Sequence, residues 1–254
     1  MHPITTSRTK MLEVDRLSIR FKLSWEKTRT LSDSLARRVK AILGGHRTQY
    51  FEALKEITFE ARQGDIVGVI GPNGSGKSTL LRAISGIYQP DRGNVRCYGK
   101  VSSLLSLGTG FDLALNGIDN IYLNGMLTGM APKKIDSQLD EIIEFAELRE
   151  HIYKPMKYYS NGMISRLGWA MVLAMEPEIL LVDEIFSVGD IAFQKKSKRV
   201  MHELLEKTTC QLIVTHDLQL VREHCNRAIY IREGRIVADG QADEVLGNYE
   251  KDFA

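Results

Sequence analysis

The chain has 254 residues, with 34 Lys and Arg against 32 Asp and Glu and an apolar share of 43%. This composition excludes a disordered chain, a collagen-like repeat and a disulfide scaffold, and a net charge of +2 gives no field that would draw the whole molecule to nucleic acid. The length suits one large α/β domain carrying a smaller subdomain.

The opening MHPITTSRTK has no apolar core of the kind a secretory signal needs. No apolar run approaches the roughly 18 residues of a membrane span; the longest, residues 168–175, is cut by Glu176 and Pro177. A chain that stays in the cytoplasm without crossing a bilayer is expected. Cys97, Cys210 and Cys225 show neither a CxxC pair nor zinc-ligand spacing, and are read as reduced thiols.

In chain order, apolar or alternating runs predict strands at residues 11–17, 53–59, 66–70, 179–182, 211–214 and 227–231. Several are short and apolar throughout, as buried parallel strands are. Residues 20–47 interrupt the first sheet as a basic insertion, in which Leu31, Leu35, Val39 and Ile42 form a helical stripe. Two readings stand for it: a solvated helix on its own sheet, or a contact with the anionic inner membrane surface or a permease. Behind Pro132, Ile135, Leu139, Ile142, Ile143 and Ala146 recur at helical spacing. REGRIVADG reads as a sheet edge before a closing helix. The predicted organisation is an α/β nucleotide-handling core at residues 1–110 and 176–254, with a helical subdomain inserted at 111–175.

Residues 71–78 read GPNGSGKS, matching G-x-x-x-x-G-K-[ST] between the apolar run IVGVI and the helix-like STLLRAISGI. Glycines at Gly71, Gly74 and Gly76 let the backbone amides close on phosphate oxygens at a helix N-terminus. Lys77 supplies a cation for the β- and γ-phosphates, and Ser78 a hydroxyl for Mg²⁺. Asn73, Ser75 and Thr79 belong to the same phosphate-binding stretch. The run ILLV ends in Asp183 and Glu184. An acid there in P-loop proteins helps hold Mg²⁺ through water, the role given to Asp183; strand alternation turns Glu184 the other way, where it can deprotonate an attacking water.

Residues 159–163 read YSNGM, and the order P-loop, YSNGM, ILLVDE, SVGD, VTHD resembles the nucleotide-binding subunit of an ABC transporter over nearly the whole chain. The resemblance implies a P-loop α/β ATPase with a helical subdomain, ATP and Mg²⁺ as ligands, and two copies facing head to tail around two ATP molecules. It further implies that Ser160 and Gly162 touch the γ-phosphate of the opposite copy, that Asp190 ends the D-loop, and that His216 is the switch histidine. Set past the strand QLIV and followed by Asp217, His216 could reach a γ-phosphate or the lytic water as a neutral imidazole.

Asn161 and Met163 depart from the usual Gly and Gln. With SVGD, the long insertion and GTGFDLALNGIDNIYLNG, they resemble the branch that exports polysaccharides and polyol phosphates: O-antigen, capsule and wall teichoic acid. The resemblance implies a peripheral subunit on the cytoplasmic face of the membrane, bound to a polytopic permease in two copies. A subunit for drug or small-molecule export, a non-transport ABC switch and a P-loop kinase are the alternatives. The family's Mg²⁺-touching Gln would fall at Leu107, and no Gln occurs between Gln89 and Gln138. The adenine-stacking aromatic that the resemblance implies would be Phe21, with Tyr50 as rival. Permease coupling is expected at residues 107–115, with Tyr122 and Met126 beside them, unless Phe111 and its neighbours fill the subdomain's own core.

Overall fold

The computed structural model describes residues 8–23, 49–103, 110–183, 193, 204 and 208–253. Its strands are β1 (Lys10–Leu23), β2 (Gln49–Arg62), β3 (Ile66–Ile70), β4 (Arg92–Cys97), β5 (Val101–Ser103), β6 (Ile179–Asp183), β7 (Cys210–Val214), β8 (Arg227–Arg232) and β9 (Arg235–Gln241). Its α-helices are α1 (Lys77–Ile84), α2 (Gly117–Leu127), α3 (Pro132–Ala146), α4 (Asn161–Met175), α5 (Leu218–His224) and α6 (Ala242–Phe253).

β2, β1 and β4 form an antiparallel sheet in that order. Leu12 and Val14 face inward, and so do Leu17 and Ile19, although the two pairs differ in parity. A register shift between Val14 and Leu17, with Arg16 at φ 45°, resets the alternation and keeps both pairs buried. Residues 20–23, read from sequence as the start of the insertion, instead continue β1 opposite residues 49–52 of β2. Period-2 pairing carries the strand past the point where its charge rises. The amphipathic stripe from Leu31 to Ile42 lies outside the described residues.

The second sheet runs β5-β6-β7-β3-β8-β9 and is parallel except for β9, which returns antiparallel along β8 as REGRIVADG suggests. β3, β6 and β7 are covered on both faces, which is why they read as unbroken apolar runs. Along β6, Ile179 and Leu181 join the antiparallel sheet and α1 in one core; Leu180 and Val182 face Trp169 and Val172 of α4 in another. β4 and β5 were not among the sequence-predicted strands: β4 reads RGNVRC with little apolar content, and β5 has three residues.

Helices α2, α3 and α4 lie between β5 and β6 in the chain and share a third apolar cluster, which includes Ile135, Ile142, Ile143, Ala146, Leu167 and Met171. α4 is buried on two sides, Trp169 and Val172 against the sheet and Leu167, Ala170 and Met171 against its sister helices, so its sequence is apolar nearly all round. Burial of Leu167, Met171 and Val172 contributes roughly 1.5–3 kcal/mol each. Asn120, fully buried, ties the loop before α2: its amide donates to the carbonyls of Asp112, Leu115 and Asn116 while its Oδ1 accepts from the Asp112 amide at 2.7 Å. Among the described residues, no helix is long and apolar enough to cross a membrane. Cys210 and Cys225 are buried free thiols, pushed up to about 12 by loss of solvation, which keeps them protonated and unreactive.

Candidate nucleotide site

Because β3, β6 and β7 are parallel neighbours in the order β6-β7-β3, their C-terminal ends share one sheet edge. The phosphate loop leaves β3 there, Asp183 ends β6 opposite Val214, and Val214 ends β7. A cavity of about 290 Å³ opens at this edge, lined by Phe21, Phe51, Ala53, Asn73, Gly74, Gly76, Lys77, Ser78, Thr79, Asp183 and Val214. One end is apolar, from β1 and β2; the other is polar, from the loop and α1.

Gly71, Gly74 and Gly76 have φ of 148°, 80° and 109°. These values bend the loop into a cradle whose Gly76 is the N-cap of α1. Gly76 brings no side chain to the first-turn amides, and α1 has no acid in its first turn, so those donors face the cavity mouth with their partial positive charge uncompensated. This arrangement fits a polyphosphate. Lys77, 8% exposed, folds over the loop with Nζ 2.7 Å from the Gly71 carbonyl and 3.1 Å from that of Pro72. Ser75 is buried beneath it, its hydroxyl without a hydrogen-bond partner among the described residues. Ser78, Thr79 and Asp183 bring hydroxyl and carboxylate oxygens to one cavity, the donor chemistry that a hard divalent cation prefers. Among the described residues no three His, Cys, Asp or Glu side chains cluster, so a cation here would take its remaining ligands from phosphate and water.

The remaining sequence-predicted residues fall in three groups. His216 is exposed two residues beyond Val214, at the cavity edge in sequence but not on its lining. Ser160 and Gly162 sit at the start of α4, where Ser160 Oγ caps the helix by accepting from the Met163 amide at 3.2 Å; the chain does not bring them to its own cavity. Glu184, Asp190 and Leu107 lie outside the described residues. Of the expected coupling residues, Phe111 and Tyr122 pack against the helical cluster, while Leu113 and Met126 are exposed.

Phe51 was missed. Phe21 and Phe51 are directly paired across β1 and β2, so both rings stand on the same face and line the cavity. Tyr50, the sequence-level rival, points to the opposite face, where Arg20 lies over its ring at 5.6 Å. Tyr88 props Phe21 edge-on at 5.5 Å. The signal was the parity of YFEAL, but it could be used only once the register across the insertion was known. Loss of one stacking ring typically costs about 1–3 kcal/mol. Phe51→Ala is therefore expected to raise KM for ATP roughly tenfold with kcat little changed, and Phe51→Trp to restore it, in steady-state ATPase assays.

The strand order, the glycine cradle and the acid on a neighbouring strand define a P-loop nucleotide-binding ATPase. A family model described as ABC transporter matches residues 54–187. The chain is 39% identical over 202 residues to an O-antigen export system ATP-binding protein of Klebsiella pneumoniae, covering 80% of this chain and 82% of that one. It is also 39% identical over 216 residues to a teichoic acids export ATP-binding protein of Lactococcus lactis, covering 84% of this chain and 46% of the relative. In fold it resembles a dimeric post-hydrolysis ATP-binding cassette bound to ADP and Pi, with a TM-score of 0.65, 20% identity and coverage of 91% and 99%. This chain belongs to the ABC transporter family. It binds nucleotide and hydrolyses ATP.

Proposed function

We propose that this subunit powers export of a lipid-linked polymer of O-antigen or teichoic acid type through a separate polytopic permease, from the cytoplasmic face of the membrane. The observation that carries the reading is the identity of close to 40% over some four-fifths of the chain with ATP-binding proteins of these two export systems. Phe21 and Phe51 hold the base, the amides of Gly74, Gly76 and their neighbours with Lys77 hold the phosphates, and Ser78, with Asp183 through water, would hold Mg²⁺, which would neutralise phosphate charge. Glu184 takes the proton from the attacking water, and His216 orients the γ-phosphate end.

Ser160 and Gly162 complete the site of a second copy, with Asp190 at the shared interface; that neither Ser160 nor Gly162 lines the chain's own cavity supports this reading. ATP then joins two copies, and hydrolysis removes the γ-phosphate contact that holds them. The exposed Leu113 and Met126 offer apolar area for the permease. The basic insertion at residues 20–47, where Glu26 and Asp33 are the only acids, has the charge an anionic membrane surface would attract.

The test is to isolate the chain with its membrane partner and to inactivate it in cells. A polytopic permease should co-purify, and a lipid-linked glycan or polyol phosphate should accumulate on the cytoplasmic side. Co-purification with a permease but no polymer accumulation would overturn the substrate class, and failure to find any membrane partner would overturn the transport role.

A further inference from the structure

The phosphate loop and the base-bearing strand β2 belong to different sheets, yet one nucleotide must fit both. What fixes their separation is a contact outside the cavity lining. Gly234, in the turn between β8 and β9 with φ 79°, donates its amide to the Ser75 carbonyl at 3.0 Å; its own carbonyl accepts from the Lys55 amide at 2.8 Å. One residue thus tethers the phosphate loop on one side and β2 on the other.

The packing is closer still at Ala53, which lines the cavity two residues from Phe51. A Cβ placed on Gly76 would come within 2.7 Å of the Ala53 carbonyl oxygen, and a Cβ on Gly234 would reach the same atom at the same distance. The carbonyl is clasped between a glycine of the loop and a glycine of the turn. Around Gly234 the other nearest atoms are Ala53 C at 3.1 Å and Leu54 Cα at 3.4 Å, all backbone of β2, so no side chain can swing aside to make room.

We infer that Gly234 is a positioning residue for the nucleotide, holding the base platform of β2 at its working distance from the phosphate loop. The inference rests on the nucleotide site proposed above. Alanine at 234 keeps the amide that holds Ser75 but adds a methyl that pushes β2 away, so the cradle stays while Phe51 moves. Loss of one stacked ring weakens nucleotide binding by roughly five- to 150-fold. Here the base platform is one part of the grip, and roughly tenfold is expected.

Steady-state ATP hydrolysis by the purified chain tests this in two variants. Gly234→Ala acts through the methyl. Lys55→Pro acts on the same contact from β2, the end strand of its sheet: it removes the amide that bonds Gly234 and sets its ring against that carbonyl. Both should raise KM for ATP about tenfold and leave kcat within about threefold of wild type, because a merely structural defect lowers the active fraction and hence kcat without moving KM. Gly234→Asn, which accepts the positive φ but keeps the Cβ, should behave like Gly234→Ala. If Gly234→Ala fails to fold, Lys55→Pro decides alone. An unchanged KM, or a kcat loss as large as the KM rise, overturns the positioning role. A wild-type chain that does not bind ATP in titration calorimetry overturns the site itself.

Discussion

Lys77→Ala should weaken ATP binding by roughly ten- to a hundredfold, since a hydrogen bond to a charged group is worth about 1.5–3 kcal/mol and this cation would meet the phosphate oxygens of a bound nucleotide. Its ammonium is held across the loop by the Gly71 and Pro72 carbonyls at 2.7 and 3.1 Å, ready to exchange them for phosphate. The loop glycines and the open amides of α1 remain in the variant, so some affinity persists. Titration calorimetry with ATP reads the loss, and circular dichroism checks that the fold survives. An unchanged affinity would require a different phosphate site.

Glu184→Gln should instead leave ATP binding nearly intact and lower turnover by ~10²- to 10⁴-fold, the usual worth of a general base. Glutamine matches the carboxylate in size but cannot accept the proton of the attacking water. Trapped before hydrolysis, two copies should stay joined, so that ATP doubles the apparent mass of the variant in size-exclusion chromatography. Hydrolysis at a near-normal rate would remove Glu184 from the mechanism, and a mass unaffected by ATP would count against the shared site.

Sequence alone reached furthest where chemistry is local. The phosphate loop, the acid ending β6 and the amphipathic face of α3 are each contained in about fifteen residues, and their spacing encodes the geometry directly. The α/β class followed from short apolar strands, since only strands covered on both faces read that way. What escaped depends on register between distant segments. Phe51 joins Phe21 only because residues 49–52 pair with residues 20–23 across the insertion, and charge density there masked the strand. β5 escaped for another reason: three residues form a strand only because β6 offers a partner. Phe111 shows the limit of reading exposure from apolarity, since it packs into the helical cluster while Leu113, two residues on, faces solvent.

The placement of the helices between β5 and β6 has a bearing on how the chain acquires its shape. Val101 pairs with Ile179, and between these neighbours lie α2, α3 and α4. An unstructured stretch of that length would make the pairing entropically slow to close. The three helices share a cluster of their own, so their packing can draw the two strand ends together. α4 then presents Trp169 and Val172 as a ready template on which β6 condenses. The helical subdomain would thus also help the central sheet close, and damage to its interior should delay assembly of the phosphate loop on the far side of β6.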